Sequence, residues 1–219
     1  MNNSASDDTY AAERERMVRQ QLIPRGIHDP QVLDAMRQTP RHRFVPPEEL
    51  AYAYADGPLP IGDGQTISQP YIVALMTQML ALTGDESILE IGTGSGYQAA
   101  ILARLARQVY TVERQASLAE NARRVLHALA LTNVEVILGD GSLGFVQHAP
   151  YPAILVTAAA PAVPQPLLDQ LADGGRLVLP VGGRGMQYLE LWERQGQKFK
   201  QETGIPVAFV PLRGEFGWK

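Results

Sequence analysis

The segment Ile88–Tyr97, with the sequence ILEIGTGSGY, constrains the fold of this chain more than any other. An apolar run ends in three glycines, Gly92, Gly94 and Gly96, and a helical pattern follows directly. A strand that runs through a glycine-rich turn into a helix is typical of doubly wound α/β sheets, which bind ligands at the carboxyl ends of their strands. This order of elements predicts a ligand site at the turn.

Beyond residue 87 the chain alternates short apolar runs with helical patterns. The patterns predict strands at 87–91, 109–112, 134–138, 153–157 and 176–180, with helices at 97–106, 116–131 and 166–171. Continuous apolar strands separated by helices indicate a parallel sheet that is covered on both faces. Two further apolar runs, 188–192 and 207–211, have no helix between them and predict an antiparallel hairpin at the sheet edge.

The part of the chain before residue 87 does not alternate strands with helices and is predicted to be mainly helical. Helices are predicted at 10–22, 30–38, 46–54 and 71–82, the first nine residues predict no regular structure, and 56–64 is rich in glycine and proline and predicts an irregular loop. We therefore expect an α/β fold: a doubly wound, mostly parallel Rossmann-like sheet with an antiparallel edge and an N-terminal helical extension. The extension and loop (1–64) would pack on a core domain (65–219) to make one compact unit.

Composition narrows the possible chemistry. The 219 residues include 19 Lys and Arg, 23 Asp and Glu, and no cysteine. This excludes disulfides, thiolate metal sites and cysteine nucleophiles, and the four scattered histidines predict no metal site. The net charge of −4 argues against a nucleic-acid partner. A polar start and the lack of an apolar run of ~20 residues favour a cytoplasmic protein that does not enter a membrane.

Glu90 and Tyr97 indicate which cofactor the glycine turn would hold. A dinucleotide fingerprint requires a third glycine where this chain has Tyr97. A carboxylate at Glu90 would repel a pyrophosphate lying on the helix N-terminus. It suits a ligand with an ammonium group and no phosphate, such as S-adenosylmethionine, whose sulfur is also cationic. A salt bridge within the protein is the alternative role for Glu90.

Two further acids fit the same cofactor. Glu113 follows the second predicted strand, 21 residues after Gly92, where an acid can accept hydrogen bonds from ribose hydroxyls. Asp140 follows the third strand and could accept from an adenine amine, although Gly-Asp-Gly alone is also a common turn. Acids at the ends of three successive strands favour one shared site.

At this point the chain resembles a known family. The segments QTISQP, LEIGTGSGY, GDG, APYPAILVTAAAP and GGRLVLPVG closely resemble those of protein-L-isoaspartate O-methyltransferases, which are class I S-adenosylmethionine-dependent methyltransferases. The resemblance covers about Met17 to Pro211. It implies a monomeric enzyme that methylates the free α-carboxylate of L-isoaspartyl residues in damaged proteins and peptides. The ester then collapses to a succinimide, and S-adenosyl-L-homocysteine is the other product.

The resemblance also assigns residues by position. It places the catalytic residue at Ser68 and the cofactor contacts at Gln65, Thr66, Ile67, Ser68, Val73, Ser95, Glu113, Asp140 and Gly141; to these we add Glu90, Gly92, Gly94 and Gly96. Thr66 and Ser68 are also candidates for binding the substrate, together with Ile61, Gly62, Val181 and Gly182. The alternative role of these glycines is turn geometry alone. The tail from Arg213 onward differs from the longer polar ending of relatives.

Methyl transfer to a carboxylate requires the protein to orient the carboxylate but not to remove a proton from it. A carboxylate with a pKa of roughly 3.3–3.9 is ionised at pH 7 and needs no general base. Ser68 would orient it with one hydrogen bond, or would only cap the helix that begins at Pro70. Three alternatives stay open: a methyltransferase for another carboxylate or a small molecule, a nicotinamide-dependent oxidoreductase, and a non-catalytic binding module. Glu90 and Tyr97 count against the oxidoreductase.

Overall fold

The structure, a computed structural model, describes residues 4–183 and 185–219. Its α-helices are α1 (Ser4–Met17), α2 (Pro30–Gln38), α3 (Pro70–Leu80), α4 (Tyr97–Leu102), α5 (Ala116–Ala128) and α6 (Gln165–Asp169). Its strands are β1 (Leu59–Gly62), β2 (Gln65–Ile67), β3 (Ser87–Ile91), β4 (Gln108–Glu113), β5 (Val134–Leu138), β6 (Tyr151–Val156), β7 (Leu171–Gly182), β8 (Gln187–Gln195) and β9 (Lys198–Val207). Within the described ranges, no helix is both long and apolar enough to cross a bilayer.

The main sheet has the order β5-β4-β3-β6-β7-β8-β9. The first five of these strands are parallel, and β8 pairs antiparallel with both β7 and β9. From β3 the chain builds the sheet outward through β4 and β5, then crosses to the other side of β3 for β6 and β7. Open α/β sheets bind ligands at such a reversal. The predicted α/β fold class is therefore confirmed.

Three local predictions are wrong. The segment predicted as an irregular loop contains β1, which pairs antiparallel with β2 and has a bulge between Pro60 and Gly62. The second edge strand is β9, not 207–211; its side chains are mostly exposed and polar, so no apolar pattern marks it. Helix α1 begins at Ser4, within the nine residues predicted to lack regular structure, while residues 1–3 lie outside the described residues.

Tyr97 joins the N-terminal segments to the core. It is the first residue of α4 and is fully buried, and its hydroxyl donates a hydrogen bond to the Met36 sulfur of α2 at 3.9 Å. The Arg41 guanidinium lies over the Tyr97 ring, 4.9 Å from its centroid, and the Arg41 Nε donates to the Ala53 carbonyl at 2.8 Å. The segment before β1 and the helix after the glycine turn therefore share one core.

Asn133 offers a test of how α4 is held in place. Its side-chain amide donates to the carbonyls of Ala103 at 2.8 Å and Ala106 at 3.1 Å, just beyond the last turn of α4. We expect Asn133→Ala to lower the free energy of unfolding by about 1–3 kcal/mol, because two part-buried carbonyls lose their donor. Urea unfolding measures this, with the exposed Asn121→Ala on α5 as the matched control. Equal effects of the two substitutions would contradict the assignment.

Candidate active site

A cleft opens where the strands β3, β4 and β6 end. Its lining includes many of the predicted cofactor residues: Gln65, Thr66, Ile67, Ser68, Val73, Gly92, Gly94, Ser95, Glu113 and Gly141. Three predicted cofactor residues, Glu90, Gly96 and Asp140, are not part of the lining. The cleft is therefore built from the β1–β2 hairpin on one side and from the ends of the parallel strands on the other.

Hydrogen bonds to β4 and to the residue that follows β6 fix the glycine turn. The Gly92 amide donates to the Val112 carbonyl at 2.8 Å, and the Thr157 hydroxyl donates to the Gly92 carbonyl at 2.5 Å. A Cβ at Gly92 would overlap the Thr157 hydroxyl, and one at Gly141 would overlap Ile91. Gly96 has a different role, since its missing side chain lets α4 pack against Ala122 and Leu126 of α5.

Glu113 lies at the end of β4 and is 6% exposed. Its Oε2 accepts from the Gly94 amide and its Oε1 from the Gln115 amide, each at 2.9 Å. These bonds hold the carboxylate against the glycine turn. Since each carboxylate oxygen has more than one acceptor position, Glu113 can still accept hydrogen bonds from a ligand in the cleft.

Glu90 is completely buried beneath the turn, and neither of its carboxylate oxygens has a hydrogen-bond partner among the described residues. Burial raises its pKa to about 8; the nearby Thr111 hydroxyl opposes this rise only in part, and the charge of Glu113 adds to it. No basic side chain in the described part of the chain pairs with Glu90, so the alternative role of a salt bridge is not supported. A buried carboxyl group without a donor is costly, so a cationic ligand nearby would stabilise its charged form.

The C-terminal tail, residues 213–219, engages Asp140. The Glu215 amide donates to Asp140 Oδ2 at 2.7 Å, and the Phe216 amide donates to the Ser142 hydroxyl at 3.0 Å. Ser142 in turn donates to Asp140 Oδ1 at 2.7 Å. These hydrogen bonds lower the pKa of Asp140 against the opposing effect of burial, which is the largest single influence. Asp140 thus holds the tail directly through Oδ2 and indirectly through Oδ1 and Ser142, and Arg213 of the tail lines the cleft.

Ser68 lies between β2 and α3 and lines the cleft. The residue that caps α3 is Gln69, and it makes no side-chain capping bond. The Ser68 hydroxyl makes no hydrogen bond to any residue that the structure describes, so the capping alternative is not supported. Its hydroxyl is therefore available to a ligand.

The other predicted substrate residues lie near the cleft without lining it. The Ile61 side chain lies over Gly94, with its Cδ1 3.5 Å from where a Cβ would be. Gly182 donates from its amide to the Ala160 carbonyl at 3.0 Å, which places Val181 and Gly182 behind the end of β6. A Cβ at Gly182 would lie 2.6 Å from the Met186 carbonyl oxygen, so local geometry alone accounts for this glycine. Gly62 has a φ of +92°, which also favours glycine.

Comparison with known proteins decides the family. The family model for protein-L-isoaspartate(D-aspartate) O-methyltransferase matches residues 12–216. The chain belongs to this family. A protein-L-isoaspartate O-methyltransferase of Methanoregula boonei is 58% identical over 207 residues, which cover 94% of this chain and 95% of the relative. One from Syntrophobacter fumaroxidans is 57% identical over 210 residues, which cover 96% of this chain and 98% of the relative.

Solved structures agree with this assignment. A protein-L-isoaspartate O-methyltransferase structure matches with a TM-score of 0.85 at 30% identity, covering 93% of this chain and 67% of that one. A Plasmodium falciparum structure in complex with S-adenosyl-L-homocysteine shares the fold, with a TM-score of 0.78 at 24% identity over 93% of this chain and 98% of that one.

Sequence reasoning missed many of the residues that line this methyltransferase cleft. The structure adds a set of lining residues: Met76, Ile91, Thr93, Tyr97, Gln98, Val112, Arg114, Gln115, Thr157, Ala158 and Val210–Arg213. Gln115 lies two residues after Glu113, so its position in the sequence could have suggested that it lines the cleft. No sequence pattern near Val210–Arg213 indicates that this segment lines the cleft. Two backbone hydrogen bonds to Ala159 place it there: the Ala159 amide donates to the Val210 carbonyl, and the Leu212 amide donates to the Ala159 carbonyl.

The raised pKa of Glu90 predicts a dependence of stability on pH. The folded protein keeps a proton on Glu90 up to about pH 8, whereas an unfolded glutamate loses it near pH 4.3. The free energy of unfolding without cofactor should therefore fall between about pH 5 and 8, by up to about 1.4 kcal/mol per pH unit. Urea unfolding across this range should show the slope in the wild type and in the exposed Glu120→Gln. Persistence of the slope in Glu90→Gln would contradict the assignment.

The tail contacts predict the effect of Gly214→Ala. A Cβ at Gly214 would overlap the Asp140 carboxylate and the Ser142 hydroxyl, so the tail must move away from the cleft. We expect KM for S-adenosylmethionine to rise about tenfold, because Arg213 leaves the lining. Steady-state kinetics measure this, with Gly57→Ala as the control because a Cβ there meets nothing within 4 Å. An unchanged KM would show that the tail has no part in cofactor binding.

Proposed function

We propose that the cleft at the glycine turn holds S-adenosylmethionine and that Ser68 orients a peptide carboxylate toward it. The protein is an S-adenosylmethionine-dependent protein-L-isoaspartate O-methyltransferase. It transfers a methyl group to the free α-carboxylate of L-isoaspartyl residues and so initiates repair through a succinimide. The role proposed for Ser68 rests on one observation: the residue lines the cleft, and its hydroxyl has no hydrogen-bond partner among the described residues.

The residues of the cleft fit this cofactor. Glu90 is a buried carboxyl group without a donor, which suits a cationic ligand and disfavours a phosphate. Glu113 would accept from ribose hydroxyls, and the absence of side chains at Gly92 and Gly141 lets Thr157 and Ile91 pack directly against the backbone of the cleft lining. Asp140 would act on the adenine end mainly by holding the tail. When bound, the cofactor supplies a methyl group on a positively charged sulfur.

The protein then needs to orient the carboxylate and keep it ionised. A hydrogen bond from the Ser68 hydroxyl fixes one carboxylate oxygen without placing a cation beside the forming bond. Because the substrate carboxyl group is already charged at pH 7, no side chain has to remove a proton. We propose that an extended peptide binds to Thr66, which is the exposed residue of β2, and to the nearby Ile61, Gly62, Val181 and Gly182.

Three further properties belong to the proposal. We propose that the enzyme is a monomer, that it acts in the cytoplasm, and that it comprises an N-terminal extension (1–64) and a methyltransferase domain (65–219). The lack of cysteine fits a reducing compartment, and the β1–β2 hairpin spans the proposed domain boundary. Light scattering on the purified protein tests the first property, and cell fractionation the second.

Methyl transfer to paired peptides tests the function. The protein is incubated with methyl-labelled S-adenosylmethionine and with two peptides that differ only in isoaspartate versus aspartate. Base-labile label on the isoaspartyl peptide alone supports the proposal. Label on both peptides, or only on a free carboxylic acid, would favour the alternative of another carboxylate substrate; no label on any would refute methyl transfer to carboxylates.

Ser68→Ala separates orientation from cofactor binding. We expect kcat to fall about 10–100-fold, because the carboxylate loses the group that aligns it. The dissociation constant for S-adenosyl-L-homocysteine should change less than about threefold, as measured by calorimetry. Ser87→Ala, at the opposite end of β3, is the matched control. Equal losses of turnover and cofactor affinity in Ser68→Ala would show that the serine serves the cofactor instead.

A further inference from the structure

The β1–β2 hairpin crosses the glycine turn and forms one wall of the cleft. Its second strand provides Gln65, Thr66 and Ile67 to the lining, and Ser68 follows at once. The base of the hairpin is anchored in the core, since Leu59 and Ile67 pair with each other and are 8% and 4% exposed. Its tip, Gly62–Gly64, is exposed and has no such anchor in the core.

The tip reaches instead to the opposite wall of the cleft. The Ser117 hydroxyl donates to the Asp63 carboxylate at 2.6 Å, and the Gln115 side-chain amide donates to the Asp63 carbonyl at 3.5 Å. Gln115 itself lines the cleft and follows Glu113 by two residues. Asp63 therefore connects the wall that carries Ser68 to the wall that carries Glu113.

Charge complementarity supports this contact. Helix α5 begins at Ala116 after Gln115, which makes no side-chain capping bond, and its first turn contains no acidic residue. A helix N-terminus favours a negative charge nearby. Asp63 brings that charge from a segment more than 50 residues earlier in the chain, to the second residue of the helix. Asp63 has a φ of +51° between two glycines of positive φ, as the tight turn of a two-residue hairpin requires.

We propose that Asp63 is a positioning residue that keeps the hairpin closed across the cofactor cleft by bonding to Ser117 at the start of α5. The inference rests on the proposed function, because it assigns a role within that enzyme's cofactor cleft. Loss of the contact frees the tip while the anchored base stays packed. Cofactor exchange should then become faster, while Ser68, next to the base, keeps its place.

Release of labelled S-adenosyl-L-homocysteine from the full chain tests the proposal. Asp63→Ala and Ser117→Ala should each speed release about fivefold, the effect of losing one surface hydrogen bond to a charged group. KM for S-adenosylmethionine should rise by a similar factor, and kcat should change less than twofold. The double variant should release the product no faster than Asp63→Ala, because both substitutions remove the same contact. Asp85→Ala replaces an exposed acid just before β3, at the end of the strands opposite the cleft, and should behave as wild type.

Hydrogen exchange separates this proposal from the proposed function. Amides at the tip, residues 62–64, should exchange faster in Asp63→Ala without cofactor, those of the base residues Leu59 and Ile67 should not, and the protein should unfold at nearly the same temperature as the wild type. This measurement requires no methyl transfer, so a wild type without activity on isoaspartyl peptides would refute the function and leave the contact testable. Unchanged release and exchange in both single variants, additive effects in the double variant, or a kcat loss larger than the change in KM would each overturn the proposal.

Discussion

The active cleft depends on a turn that three parallel strands hold together. Gly92 follows β3, its amide bonds to β4, and its carbonyl accepts a hydrogen bond from Thr157 after β6. No side chain fits at Gly92, because the Thr157 hydroxyl occupies that space. Since β3 is also the strand from which the sheet grows in both directions, the glycine turn lies where the strand order reverses, and this is where such sheets bind ligands.

The parts of the site that could be predicted are those that follow buried parallel strands. Glu113 was identifiable because an apolar run precedes it, and such runs must end at one edge of the sheet. The hairpin strand β1 and the edge strand β9 could not be identified in this way. Proline and glycine in β1 and exposed polar side chains in β9 leave no apolar alternation, and their pairing depends on partners distant in the sequence.

The positions of the tail and of the N-terminal segments could not be predicted either, because both depend on contacts between residues distant in the sequence. Asp140 was predicted from its position after β5, but its two oxygens bind the backbone of residues 215 and 142, a contact that no local pattern indicates. Tyr97 stands where a dinucleotide fingerprint has glycine. In the structure Tyr97 has a second role, because its ring packs against the Arg41 guanidinium and so attaches the N-terminal segment to α4. A small residue there would remove this attachment.

Glu90 connects the stability of the fold to the chemistry of the cleft. A buried carboxyl group without a donor favours its neutral form, and its pKa of about 8 keeps it largely protonated at pH 7 in the free protein. On the proposed assignment, a bound cation stabilises the charged form, so binding would release a proton from Glu90. A phosphate-bearing cofactor would gain nothing from such a group. The same burial that costs stability when the cleft is empty therefore favours a cationic methyl donor over a dinucleotide.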